Sequence, residues 1–142
     1  MTILKRVAVL LLSTLLLTSL AGAAAFQDDM HGRREKMMQL LTPETMLILW
    51  SAPERVYSGD VNYPYRQDSN LYYLTGIEQE QTVFMMCPDA RDEKHREMLF
   101  LRESSQETET WEGHKLTKDE AREISGIRHI YSLGEFPRIF TG

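Results

Sequence analysis

The 142-residue sequence contains a single cysteine, Cys87, and no excess of basic residues. One cysteine excludes an internal disulfide framework, and the apolar run of residues 83–87 around it favours a buried small side chain over a reactive thiol. Lysine and arginine together number 16 against 21 aspartates and glutamates, a net charge of −5. Because nucleic acid and anionic lipid are bound through clustered cations, neither is an expected partner.

The sequence also lacks the short motifs that mark complete catalytic sites. The four histidines form no His-Glu-x-x-His pair, the spacing that places two metal ligands on one helix face. There is no Gly-x-Ser-x-Gly nucleophile elbow and no glycine-rich phosphate loop. We therefore expect neither a catalytic residue nor a metal ligand within this chain.

Residues 1–25 have the three parts of a secretory signal peptide. Lys5 and Arg6 precede an apolar stretch over residues 7–20, and small residues follow at 21–25. The alternative is an uncleaved anchor, but a helix needs about 20 apolar residues to span a bilayer. We expect export to the periplasm or the medium, with no membrane attachment after cleavage. The remaining part carries 14 basic and 21 acidic residues, a net charge of −7.

Residues 26–142 have the pattern of one α/β domain, a mixed sheet flanked by helices. Apolar spacing predicts a helix over residues 28–41, which Pro43 ends. Residues 51–64 are interpreted as a polar loop. Short apolar runs predict strands at residues 45–50, 82–87, 98–101 and 127–131. The first of these is expected to be buried on both faces, although periodicity alone does not exclude a helix there.

The last third of the sequence contains recognisable helix-start signals. Thr117 and Glu120 have capping-box spacing, and Gly126 stands where a C-cap glycine belongs. Ser132 begins a second box of the same spacing, and Pro137 either disturbs the following helix or lies in its first turn. Because this last apolar segment has barely begun when the sequence ends, we expect the domain to be incomplete at its C-terminus.

A first cluster of polar and aromatic residues spans positions 63–76. Arg66 offers a planar fork of donors that suits a carboxylate, and Asp68 is placed to cap a short helix. Leu71 and Leu74 would anchor that helix in the core. The alternative is a purely structural turn with an internal Arg66–Asp68 ion pair.

A second cluster spans positions 109–113 and centres on Trp111. A tryptophan in a polar stretch is notable because aromatic residues are enriched at interfaces. The alternative is that Trp111 covers the edge of the core.

In these two clusters the sequence resembles the N-terminal domain of the aminopeptidase P family, within the creatinase/prolidase group. The family pattern has a double arginine in a first helix, here Arg33-Arg34, and then Ser58-Gly59-Asp60. The block at 63–76 and the Glu-x-Trp-x-Gly motif at 109–113 follow in the family's order and spacing. Two places depart from it: residues 77–81, where Glu-Pro is common, and His114-Lys115, where two arginines often follow.

The resemblance implies a two-domain Xaa-Pro aminopeptidase, a hydrolase that releases an N-terminal residue preceding proline from peptides. A C-terminal pita-bread domain, absent from this chain, would hold two metal ions, usually manganese, through two aspartates, a histidine and two glutamates. The enzymes are often homodimers or homotetramers. This chain alone is expected to be inactive, and the alternative is a stand-alone, non-catalytic interaction domain of the same fold.

The resemblance also implies roles for particular residues. Trp111 becomes a candidate for the substrate pocket or a subunit interface. The family motif interpreted as structural comprises Arg66, Gln67, Asp68, Ser69 and Gly76.

Overall fold

A computed structural model describes residues 25–59, 61–103, 109 and 113–141. Within these residues the helices are α1 (25–40), α2 (Ser69–Thr75), α3 (Lys118–Ser125) and α4 (Phe136–Thr141). The strands are β1 (Leu47–Trp50), β2 (Val56–Ser58), β3 (Val61–Asn62), β4 (Thr82–Met86), β5 (Glu97–Leu101) and β6 (His129–Ser132). Short 3-10 turns cover Glu93–His95 and Leu133–Glu135.

Four strands form the main sheet in the order β1-β4-β5-β6. β4 pairs antiparallel with both β1 and β5, while β6 lies parallel to β5. A parallel pair requires a crossover connection, and α3 supplies it between β5 and β6. The sheet is therefore mixed and carries helices, as the sequence predicts.

The two faces of the sheet are covered unequally, because alternate side chains of each strand point to opposite sides. On one face Phe84, Met86 and Leu99 pack with Leu71 of α2 and Ala121 of α3 in the larger core. On the other face Val83, Met85, Met98 and Phe100 pack against partly buried side chains that include Phe136 and Ile139 of α4. α4 is only six residues long, so the second face has the thinner cover.

The prediction that the first strand is buried on both faces is wrong. Leu47, Ile48 and Leu49 of β1 are half-buried, and the side chain of Trp50 is 57% exposed. The reason is the strand order, since β1 pairs only with β4 and stands at the edge of the sheet. The Trp50 ring contacts Phe136 edge-on, with centroids 5.1 Å apart.

The interpretation of residues 51–64 as a polar loop is also incomplete. β2 and β3 form a separate two-stranded antiparallel hairpin within this segment, with an irregular register around Val56 and Ser58. Every residue of both strands is exposed. The Tyr57 and Tyr63 rings meet edge-to-face, with centroids 5.0 Å apart.

The helix signals near the C-terminus are confirmed. Thr117 and Glu120 bond reciprocally at the start of α3, and Gly126 closes the helix with a φ of 71°. Glu135 accepts a hydrogen bond from the backbone N–H of Ser132 at 3.1 Å, and α4 starts later, with Pro137 in its first turn.

Residues 1–24, which hold nearly all of the predicted leader, lie outside the described part of the chain. Among the helices that the structure does describe, none has the length and apolar character needed to cross a bilayer.

Candidate functional site

The motif at residues 66–76 forms the capped helix α2. Asp68 Oδ1 accepts hydrogen bonds from the backbone N–H groups of Asn70 and Leu71, at 2.9 and 3.1 Å. Gly76 ends the helix in the left-handed region, with a φ of 67°, and donates its N–H to the Tyr72 carbonyl. The predicted N-cap role of Asp68 is therefore confirmed.

Gln67 is a buried junction between three segments of the chain. Its Oε1 accepts hydrogen bonds from the Tyr65 hydroxyl (2.8 Å), the Asp68 N–H (2.9 Å) and the Ala52 N–H (3.0 Å). Its Nε2 donates to the Gln79 carbonyl at 2.8 Å. One amide thus ties the motif to the segment after β1 and to the segment before β4.

Burial of the Tyr65 hydroxyl beside this junction raises the pKa of that group, and the nearby Glu80 carboxylate adds to the effect. Tyr65 therefore stays protonated at neutral pH, as a donor to Gln67 requires.

A second buried amide, Gln79, holds both ends of the segment that carries Trp111. Its Nε2 donates to the Arg102 carbonyl at 3.1 Å, and its Oε1 accepts the Leu116 N–H at 2.6 Å. Trp111 itself lies outside the described residues, so its predicted pocket or interface role remains a prediction.

An enclosed ion pair lies next to Gln79. The Lys115 ammonium donates to the Glu80 carboxylate, and both side chains are about one-tenth exposed. Burial is the largest single influence and opposes ionisation of Glu80. The hydrogen bond from Lys115, a backbone hydrogen bond and the charges of Lys115 and Arg102 together outweigh it and lower the pKa of the carboxyl. Lys115 stands where the family often has arginine, so a cation is retained at this position.

His114, the neighbouring residue, bridges two carboxylates at the surface. Its Nδ1 lies 3.2 Å from Glu109 Oε1, and its Nε2 lies 3.1 Å from both oxygens of Glu120. The hydrogen bond with Glu120, followed by that carboxylate's charge, raises the pKa of His114.

The double arginine of α1 binds the C-terminal end of α2. Arg34 is only 1% exposed; its Nε donates to Glu97 Oε1 and its Nη1 to the Leu74 carbonyl, both at 2.9 Å. Arg33 donates to the Tyr73 carbonyl at 2.9 Å. Cations at these carbonyls complement the negative end of the helix dipole.

Burial lowers the pKa of Arg34, although the charge of Glu97 opposes that shift. Arginine nevertheless remains protonated in proteins at all ordinary pH values.

Arg66 is exposed and lines a surface cleft of about 660 Å³ together with Arg55 and Tyr63. The Arg66–Asp68 ion pair considered from the sequence is not formed within the described residues, because the Asp68 carboxylate is engaged as the cap of α2. Ser69 begins α2 at the rim of the same cleft.

These contacts orient backbone segments and do not pair a nucleophile with a base. Among the described residues no group of three or more His, Cys, Asp or Glu side chains is arranged to hold a metal ion. Cys87 is a half-buried free thiol. The sequence alone pointed to Gln67 through the family motif, but it gave no signal for Gln79, whose partners lie 23 and 37 residues away.

Comparison with known proteins places this architecture in a family. The family model described as "Aminopeptidase P, N-terminal domain" matches residues 30–142. The chain therefore belongs to the aminopeptidase P N-terminal domain family.

Named relatives and solved structures agree with that assignment. The Xaa-Pro aminopeptidase of Haemophilus influenzae is 29% identical over 113 residues, which are 80% of this chain and 26% of that protein. The Escherichia coli aminopeptidase P solved with the inhibitor Pro-Leu superposes with a TM-score of 0.69 at 28% identity, covering 79% of this chain and 25% of that one. The aminopeptidase PepP of Pseudomonas aeruginosa superposes with a TM-score of 0.72 at 30% identity, covering 80% of this chain and 25% of that one.

The chain thus spans about a quarter of the length of these relatives.

Proposed function

We propose that this chain is the N-terminal part of a manganese-dependent Xaa-Pro aminopeptidase, which releases the N-terminal residue preceding proline from peptides. The observation that carries the proposal is the family match over residues 30–142, together with relatives named as Xaa-Pro aminopeptidases. The motif at 66–76 supports it, because Asp68 and Gly76 cap α2 and Gln67 joins it to neighbouring segments.

We propose that the metal chemistry belongs to a part of the protein outside these 142 residues. The described side chains do not fit a two-metal site, since no cluster of three potential ligands exists among them. On the strength of the family match, we propose that two manganese ions are held by a C-terminal domain and that this chain alone does not turn over substrate. When bound, such a metal pair supplies an activated water for attack on the peptide bond.

The contribution of this domain, in our proposal, is to present Trp111 to a substrate pocket or a subunit interface of a homodimer or homotetramer. Support comes from the two ends of its segment, which are held at Arg102 and Leu116 by the single buried side chain of Gln79. The Lys115–Glu80 ion pair adds a second attachment at the later end.

The proposal includes export to the periplasm or the medium. It rests on the charged start, apolar centre and small-residue end of residues 1–25.

The experiment that tests the function compares two proteins on two peptides. The 142-residue chain and the full product of the native gene are each incubated with Mn²⁺ and with Xaa-Pro or Xaa-Ala tripeptides, and the released amino acid is quantified. We expect release only by the longer product and only from Xaa-Pro. Turnover by the 142-residue chain, or equal cleavage of Xaa-Ala, would refute the proposal.

A second candidate function is a stand-alone interaction domain of the same fold. One observation favours it: the β2–β3 hairpin and the residue after it expose the apolar side chains of Val56, Tyr57, Val61 and Tyr63, which is typical of binding surfaces. This candidate predicts a gene product that ends at Gly142, folds cooperatively and binds a partner without hydrolysing peptides.

A further inference from the structure

A groove remote from the glutamine junctions runs between α1, the 3-10 turn at Glu93–His95 and the segment that joins α3 to β6. Its cavity volume is about 740 Å³, which is within the range of small-molecule pockets. The buried side chain of Arg34 and the exposed side chains of Arg96 and Arg128 line it. Three guanidinium groups therefore face one concave surface.

The hydrogen-bonding capacity of Arg34 is incompletely used. Its Nε and Nη1 are bonded to Glu97 and Leu74, whereas its Nη2 is buried and has no hydrogen-bond partner among the described residues. Native proteins rarely leave a buried donor unpaired, and an exception calls for an explanation such as a bound water or ion. Nη2 is the donor that a bound oxyanion would satisfy.

Gly126 lies next to the Arg34 Nη2 atom. This exposed glycine has no side chain, and a Cβ placed on it would lie 3.7 Å from Gln27 Cβ and 3.9 Å from Arg34 Nη2. A ligand oxygen entering there needs to come only about 1 Å closer to reach hydrogen-bond distance. The α3 C-cap, which requires the positive φ of Gly126, thus also places a residue without a side chain beside the guanidinium.

The remaining cations of the groove are available to a ligand. The side chains of Lys94, Arg96 and Arg128 have no ion-pair or hydrogen-bond partner in the described part of the chain. Guanidinium groups bind carboxylates and phosphates through paired, charge-assisted hydrogen bonds.

Most acidic side chains of the groove are already engaged. Glu97 binds Arg34, Glu35 lies 3.5 Å from His31, and Asp92 accepts the backbone N–H of Lys94.

Two further acids, Asp28 and Glu93, line the groove without such a partner among the described residues. Their charges disfavour a phosphate dianion and offer partners to a cationic group on the ligand. The charge distribution therefore fits a zwitterion with one carboxylate and one ammonium.

We propose that this groove binds a zwitterionic carboxylate of amino-acid or short-peptide size. Its carboxylate contacts Arg34 Nη2, Arg96 and Arg128, and its ammonium group faces Asp28 and Glu93. The site is separate from the Gln67–Gln79 junction and does not depend on the peptidase activity.

The test uses ¹⁵N-labelled protein titrated with diglycine at constant ionic strength, while the side-chain Nε–H signal of Arg34 is followed by NMR. We expect a saturable shift with a dissociation constant of about 1 mM, the weak affinity expected for so small a ligand. Inorganic phosphate, which lacks the ammonium group, is expected to bind at least about tenfold more weakly.

Two double variants serve as a matched pair. R96Q/R128Q removes two exposed cations of the groove and is expected to weaken diglycine binding at least about tenfold. R55Q/R66Q removes the same charge from the other cleft and is expected to leave the affinity unchanged within about twofold. Arg34 itself is not replaced in this test, because its bonds to Glu97 and Leu74 contribute to folding.

Three results would overturn the proposal: a shift that follows ionic strength without saturating, tighter binding of phosphate than of diglycine, or equal losses of affinity in the two double variants.

Discussion

Replacing Arg33 or Arg34, the adjacent arginines of α1, should lower the free energy of unfolding by different amounts. Arg34 is buried and bonded to Glu97 and to the Leu74 carbonyl, so Arg34→Ala leaves both without their partner. Breaking a fully buried ion pair costs about 3–5 kcal/mol, and the partial exposure of the Glu97 side chain places the expected loss of unfolding free energy at the lower end of that range. Arg33 is more exposed, and Arg33→Ala removes surface contacts worth about 1 kcal/mol.

Urea unfolding of the two variants measures this difference. Equal losses of unfolding free energy in the Arg33 and Arg34 variants would show that Arg34 is not the internal anchor of α1.

His114 should make stability depend weakly on pH. Its pKa is raised in the folded chain, chiefly by Glu120, above the usual value of about 6.5. A group whose pKa is raised on folding stabilises the fold fully at pH values below its pKa in the unfolded chain. This contribution disappears as the pH rises through its pKa in the folded chain. Stability should therefore fall slightly as the pH increases from about 6 to 8.

An NMR titration of the His114 ring checks the cause. The midpoint in the native protein is expected above 6.5, and Glu120→Gln is expected to lower it, because Glu120 supplies the main interaction. An unchanged midpoint in Glu120→Gln would assign the shift to another group.

At the scale of elements, the two glycines near α1 and α2 should respond oppositely to alanine. Gly76 has a φ of 67°, and an added Cβ would approach Met30 Sδ to 2.8 Å, so Gly76→Ala combines backbone strain with a clash. We expect Gly76→Ala to lower the free energy of unfolding by about 1–3 kcal/mol. Gly32 lies within α1 with nothing near its missing Cβ, and Gly32→Ala should stabilise by about 0.5–1 kcal/mol.

Thermal unfolding of the two alanine variants provides the readout. If both variants shift the midpoint in the same direction, the conformation assigned to one of these glycines is wrong.

Gln79 should contribute more to the free energy of unfolding than Gln39, an exposed glutamine of α1 that serves as its control. Gln79→Leu keeps the volume but leaves the Arg102 carbonyl and the Leu116 N–H without their side-chain partner. An unpaired buried polar group costs about 1–3 kcal/mol. Because these two groups are only partly buried, we expect a loss of unfolding free energy of about 2 kcal/mol in total. Gln39→Leu, on the exposed side of α1, is expected to change stability by less than about 0.5 kcal/mol.

Hydrogen exchange at the Leu116 amide distinguishes a clamp from general packing. The Leu116 amide should exchange faster in Gln79→Leu than in Gln39→Leu. Equal exchange rates in the two variants would show that Gln79 does not hold this segment in place.

Local sequence signals predicted where helices begin and end better than they predicted how deeply each element is buried in the fold. The Asp68 cap, the Thr117–Glu120 box and the glycine end of α3 depend on neighbours within four residues, and all are present. The exposure of Trp50 could not be predicted in this way, because it depends on β1 being an edge strand. Strand order is a property of distant pairings that no local run encodes.

The candidate site shows the same division. Asp68 was predictable from a cap pattern, whereas Gln79 bonds to residues far along the chain and stands in a segment that departs from the family pattern. Arg34 appeared in the sequence as one of two similar arginines, and only the fold distinguishes the buried one from its neighbour.

At the scale of the whole molecule, we propose that this chain is one part of a two-domain metallopeptidase. The mixed sheet belongs to the aminopeptidase P N-terminal domain family, and the matched relatives are about four times as long as the region they share with it. The proposed division of labour assigns metal binding to a domain outside these residues and the placement of Trp111 to this one.

The most direct measurement is the nucleotide sequence of the native gene beyond the codon for Gly142. The account predicts an open frame of roughly 300 further residues, with two aspartates, a histidine and two glutamates in the order of the family's two-metal site. A stop codon directly after Gly142 would contradict it, and the interaction-domain function would then take its place.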